Sequence, residues 1–110
     1  MNNFRNINYI IKLNRKFGGA LLNKHNLDFD IQMANRESNI YKSNAYILRG
    51  IVQGHPFLDG NKSTASEIVL LRFKRKGIRC KKVPFENGIV RIAKERNTSI
   101  SKISKRLHKW

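Results

Sequence analysis

This sequence is short of cysteine, of acidic side chains and of long apolar runs, and each shortage closes off a class of protein. Cys80 is the one cysteine in 110 residues, so no internal disulfide can form and nothing points to a disulfide-stapled scaffold. The longest uninterrupted apolar runs are about four residues, as in Ile68-Val69-Leu70-Leu71, whereas a spanning helix needs about twenty, so no transmembrane segment is expected. No signal-peptide pattern opens the chain. There is no internal repeat and no low-complexity stretch. The expected setting is therefore reduced and cytoplasmic, with no membrane partner. What is present is a normal apolar share of 40%, enough to close one modest core. A length of 110 residues leaves no room for two compact domains, so one domain over residues 1–110 is expected.

The scarcity of acid is uneven along the chain. Aspartate and glutamate number 7 against 23 lysines and arginines, a net charge of +16. Residues 1–71 hold 9 basic and 5 acidic side chains, and residues 72–110 hold 14 and 2, so the second part carries +12 of the total. Such a surplus draws polyanions, and a nucleic-acid partner for the basic C-terminal half is one reading. A solvated basic face is the plainer one. Phe73 and Phe85 fall at core positions, and no aromatic platform alternates with the basic residues for base stacking.

Helical periodicity dominates. Phe4, Ile7, Ile11, Leu13 and Phe17 mark a first helix that Gly18-Gly19 should end. Ala20 to Asn26 suits a small hairpin or an irregular loop. Leu27, Ile31 and Ala34 mark a short second helix, and Asn35 to Asn39 a connection. Asn39 is placed to cap a third helix, whose stripe of Tyr41, Ala45, Leu48 and Val52 runs to Gln53-Gly54. A fourth helix starts near Lys62 and is capped by Gly77; its broad apolar face makes it the expected centre of the fold. Val83-Pro84 reads as a break. Ile89, Ile92 and Ala93 mark a fifth helix ending near Asn97, and Ser99 or Ser101 caps a sixth around Ile103 and Leu107. The expected fold is all-α.

Between the third and fourth helices lies His55-Pro56-Phe57-Leu58-Asp59-Gly60-Asn61-Lys62. Gly60 allows an amide-lined turn at a helix start, where free N–H groups and the helix dipole attract an anion. Lys62 adds a point charge there. Asp59, beside an anion site, suits Mg²⁺ bridging phosphates. His55 can take a proton near neutral pH. Pro56 stiffens the loop and Phe57 can anchor it in the core. A base, a metal carboxylate and an anion cradle in one short loop fit phosphoryl-type transfer.

This run closely resembles the signature loop of the Fic/Doc family, and Ala45 to Gly54 resembles the helix leading into it. The likeness is good over residues 41–77. It is looser over Gly18-Gly19 and Asn23 to Ala34, and over Ile89 to Leu107, which is similar to the closing helix pair of the Doc (death-on-curing) branch. The resemblance implies a compact bundle of about six short helices with a small flap hairpin near Ala20 to His25. It implies His55 as general base for a target hydroxyl and Asp59 as the Mg²⁺ ligand. It implies Gly60, Asn61 and Lys62 as the phosphate nest, with the Asn61 side chain helping to fix a phosphate, and Phe57 as loop anchor. The flap would pair with an extended target segment.

AMP-transferring members carry Gly-Asn-Gly-Arg here with a further Arg three residues on, whereas Doc-like members carry Asn-Lys-Arg. This chain has Gly60-Asn61-Lys62-Ser63 and then Ser66. Lys62 favours the Doc-like reading: a toxin moving the γ-phosphate of ATP to a serine or threonine of a target such as the elongation factor that delivers tRNA. The alternatives are nucleotidyl transfer, or a degenerate member that only binds, because Ser63 and Ser66 replace both arginines. Arg72 lies too far along its helix to substitute, on the order of 15 Å beyond Lys62; Arg49 or the basic C-terminal half could supply the charge. Glu86-Asn87 comes nearest to a built-in inhibitory motif but has Lys82 where Ser or Thr is needed, so a separate antitoxin is expected. Outside the loop, His25 and His108 are expected to be exposed structural histidines, Cys80 a partly buried one despite the basic run before it, and Trp110 a packing residue. Arg91, Lys94 and Arg96 should form a solvated face.

Overall fold

The computed structural model describes residues 7–23 and 25–110; the side chains of His25 and Asn26 also fall outside the described set. The expected roles of Phe4 and of the His25 side chain therefore lie outside the described residues. Among the described residues six α-helices succeed one another: α1 (Ile7–Lys16), α2 (His25–Arg36), α3 (Ile40–Leu48), α4 (Asn61–Arg75), α5 (Lys82–Lys94) and α6 (Ile100–Lys109). The fold is all-α, and no helix among the described residues is long and apolar enough to cross a membrane.

Helix ends obey the local chemistry of the chain. Asn39 caps α3, its Oδ1 accepting from the N–H groups of Tyr41 (2.9 Å) and Lys42 (3.1 Å). Ser99, not Ser101, caps α6 through Lys102 N–H at 3.2 Å. At the end of α4, Gly77 takes φ +74°, and the N–H groups of Gly77 and Ile78 close on the carbonyls of Lys74 and Phe73, the paired bonds of a Schellman end.

Three boundaries differ from the sequence reading. Helix α2 runs on to Arg36, through part of the expected connection. Pro84 does not break the chain, because it falls in the first turn of α5, where its missing N–H would have no intrahelical acceptor. That helix stops at Lys94 rather than Asn97; Asn97 adopts φ +52° in the turn to α6. The third helix ends at Gln53, as expected, but beyond Leu48 it is a π-helical segment, Arg49–Gln53, closed by the Gly54 N–H on the Arg49 carbonyl five residues back.

The centre of the fold is also shifted. Helix α3 packs against α2, α4 and α6, and its π-helical extension touches α5, so α3 and its extension form the hub, with α4 as one of its neighbours. Ala45, Ile47, Leu48, Ile51 and Val52 are fully buried there. Phe73 and Phe85 lie in the core as the periodicity required. Trp110 meets Phe85 edge-on at 6.2 Å and lies over Gly88, where a Cβ would overlap its ring. His108 is exposed and stacks on Tyr41 at 3.6 Å. Cys80 is half-buried, and burial pushes its thiol pKa up, so the neighbouring basic run does not activate it.

The flap segment pairs differently from the hairpin that the resemblance implies. Among the described residues it forms no strand pair with itself; Leu21 instead faces Phe57 in an isolated antiparallel bridge. Leu22 N–H donates to the Pro56 carbonyl and Leu58 N–H to the Ala20 carbonyl, both at 2.8 Å. The segment thus lies along the motif loop as a one-residue sheet.

Candidate active site

Three successive backbone features deliver His55. The π-helical turn inserts one residue into the helix and rotates the chain beyond it. Gly54 closes that turn, and His55 then takes φ +45°, a conformation few non-glycine residues adopt. Pro56 and Phe57 are buried, Phe57 to 2% exposure, so the loop is anchored immediately beyond the histidine. His55 itself is exposed.

Asp59, Gly60 and Asn61 make the turn into α4. Gly60 is left-handed (φ +74°), and a Cβ there would stand 2.9 Å from Phe17 Cβ, so glycine is needed both for the backbone and for the space. Asp59 Oδ1 accepts the Gly60 N–H at 2.8 Å. The Asn61 side chain bridges the loop: its Nδ2 donates to the Phe57 carbonyl (2.9 Å) and its Oδ1 accepts the Phe57 N–H (3.2 Å). That amide is therefore a brace, and what Asn61 offers an anion is its backbone N–H. The N–H groups of Asn61, Lys62 and Ser63 have no intrahelical acceptor; the first helical bond is Thr64 N–H to the Gly60 carbonyl.

His55, Asp59, Gly60, Asn61, Lys62 and Ser63 line one recess of about 300 Å³, together with Leu58. His55, Asp59, Gly60, Asn61 and Lys62 thus meet as the sequence implied, while Pro56 and Phe57 are buried and do not line the recess. Ser63 also borders a neighbouring apolar groove shared with Phe17, Ser66 and Leu70. Ser63 and Ser66 thus lie on one strip leading out of the recess.

No arginine lines the recess among the described residues. Arg49 is held by Asp30 at 3.1 Å, lies over the Tyr46 ring at 5.4 Å and borders a separate cavity with Phe29, Gln53 and Glu95. Burial pushes the Asp30 carboxyl above its usual range although Arg49 pulls it back. Arg72 donates to Asn44 Oδ1 at 2.8 Å within the bundle, where burial lowers its pKa to about 10. Neither replaces the missing arginine. Glu86 lies on α5, which contributes nothing to the recess.

The sequence reading missed Asn14. This residue of α1 is fully buried. Its Nδ2 donates to the Asp59 carbonyl (2.8 Å) and to Thr64 Oγ1 (3.1 Å), whereas its Oδ1 meets no donor among the described residues. Gly19 approaches so closely that a Cβ would overlap Asn14 Oδ1 and the Asp59 carbonyl. The second glycine of Gly18-Gly19 is thus a close-approach residue, while Gly18, at φ +76°, is the helix terminator. An asparagine on the otherwise apolar stripe of α1 was the available signal.

A model of the Fic/DOC family matches residues 3–71 of this chain, from the start of the sequence into α4. The match includes the whole recess and leaves α5 and α6 outside it. No curated protein and no solved structure gives a significant match.

Proposed function

We propose, starting from the fact that this chain belongs to the Fic/DOC family, that it transfers the γ-phosphoryl group of ATP to a serine or threonine hydroxyl of another protein. The observation that carries this reading is the meeting of one histidine, one carboxylate and the open amide end of α4 in a single polar recess. An imidazole nitrogen of His55 takes the proton of the target hydroxyl. The hydroxyl oxygen bonds to the γ-phosphorus as the bond from that phosphorus to the β,γ-bridging oxygen breaks, and ADP leaves with the electron pair. The N–H groups of Asn61, Lys62 and Ser63, with the Lys62 ammonium, receive the phosphate charge.

Asp59 fits a Mg²⁺ ion bound together with the nucleotide. Its carboxylate is exposed on the recess wall, and the described residues hold no cluster of three or more histidine, cysteine, aspartate or glutamate side chains that could cage a metal alone. Mg²⁺ commonly takes one or two carboxylates and completes its shell with phosphate oxygens and water. Bound there, it would neutralise charge across the β- and γ-phosphates.

The segment beside the loop suits a docking edge. In the Leu21–Phe57 pair the ladder bonds come from the neighbouring residues, so the Leu21 N–H and C=O face away from the loop. An extended target stretch could pair there and bring its hydroxyl towards His55. In this reading the protein is a Doc-like toxin whose target is a translation elongation factor, and it is restrained by a separate antitoxin. Lys62, standing where AMP-transferring members have glycine, favours attack on the γ- over the α-phosphate.

A second reading, a domain that binds without transfer, is favoured by the absence of arginine from the recess among the described residues. The two separate in one experiment. Purified protein, Mg²⁺ and a cytosolic extract are incubated with ATP labelled at the γ- or the α-phosphate. Protein-bound label from the γ position that vanishes in His55→Ala is expected. Label from the α position would replace the proposal with nucleotidyl transfer, and no His55-dependent label would replace it with binding alone.

A further inference from the structure

We propose that Asn14 is a positioning residue for the reaction: its buried amide fixes the Asp59 carbonyl and thereby sets where the Asp59 carboxylate and the Gly60 amide stand in the recess. The inference rests on the phosphoryl-transfer reading, but its structural content can be measured apart from it. Asn14 Nδ2 divides its two hydrogens between the last stretch of the loop, at the Asp59 carbonyl, and the first turn of α4, at Thr64 Oγ1. Asp59 in turn holds Gly60 through Oδ1. A line of hydrogen bonds thus runs from the floor of the bundle through the Asp59 carboxylate to the Gly60 amide, at the turn that opens α4.

The same residue fixes the opposite flank of the loop. Its backbone carbonyl accepts the N–H groups of Phe17 (2.9 Å) and Gly19 (3.2 Å), which shapes the turn into the segment paired with Pro56 and Leu58. With Gly19 wedged against both Asn14 Oδ1 and the Asp59 carbonyl, the three residues have no slack between them. Docking edge and carboxylate are therefore referenced to one residue.

A packing role would not call for an amide. Leucine has the same branching and the same number of side-chain heavy atoms, belongs in a fully buried site, and would remove an Oδ1 that has no donor among the described residues. The donors are what asparagine adds. Asn14→Leu in the full chain separates the two roles. The positioning role predicts a cooperative fold, hydrogen exchange of the Gly60 amide faster by about tenfold, and kcat lower by about tenfold with KM for ATP changed much less. A Gly60 amide that exchanges as in the wild type, with kcat unchanged, would overturn the proposal. If the wild-type protein transfers nothing, the functional reading fails, and Gly60 exchange alone decides the role of Asn14. If Asn14→Leu does not fold, Thr64→Val, which keeps the shape and removes one acceptor, is measured instead; about threefold faster Gly60 exchange is expected, and no change overturns the inference.

Discussion

At the scale of single residues, the recess was largely legible because its parts are contiguous in sequence. His55, Asp59 and Gly60 share one short loop and Lys62 follows in the first turn of α4, so local spacing alone brings them together. Asn14 and Asp59 are 45 residues apart, and only the packing of α1 on α4 joins them. The use of Asn61 as a brace was hidden for a different reason, since an amide bonds a loop carbonyl as readily as a phosphate. Because His55 is exposed, His55→Ala should leave Tm unchanged and lower the transfer rate by about 10²–10⁴-fold, measured as label incorporated per minute. Ser63 is the complementary case. Ser63→Arg places a fixed cation on the recess wall, and a rise of about tenfold or more in the same rate is expected.

At the scale of elements, end chemistry was legible and continuity was not. Asn39, Ser99 and Gly77 mark their helix ends by side-chain or backbone rules that act within a few residues. The π-helical turn at Arg49–Gln53 has no such local marker; it is selected by packing, with Gly50 pressed against Asp30. Pro84 resembles a break in sequence because its place in a first turn depends on where the helix begins. The flap was expected to pair with itself, but the loop backbone at Pro56–Leu58 offers the better partner. The α4 entry gives a test at this scale. Gly60→Ala forces a Cβ into a left-handed position beside Phe17 and should cost about 1–2 kcal/mol, seen as a lower midpoint in urea unfolding.

At the scale of the whole molecule, α2, α4 and α6 pack on α3 and α5 on its extension, and most of the charge of +16 falls on residues 72–110. Acid stability should depend on Glu95, which joins α5 and α6. Arg106 grips its carboxylate through both guanidinium nitrogens and Thr98 adds a hydroxyl at 3.0 Å, which holds its pKa down to about 2. In the unfolded chain the group titrates near the usual value of about 4.3. The unfolded state therefore binds the proton first, so this contribution is complete above the unfolded value and fades as pH falls towards the folded one. Urea unfolding at about pH 3 and about pH 6 should show a loss of stability in acid that is smaller in Glu95→Gln.

The claim on which the rest depends is that the recess breaks the bond between the β- and γ-phosphates of ATP and delivers the phosphoryl group to a protein hydroxyl. The most direct measurement is the nucleotide product formed per modified hydroxyl, compared between the wild type, His55→Ala and Asp59→Asn. One ADP for each phosphate transferred is expected, with both variants strongly reduced. Pyrophosphate accumulating in step with the modification, or ADP formation that persists without His55, would contradict it.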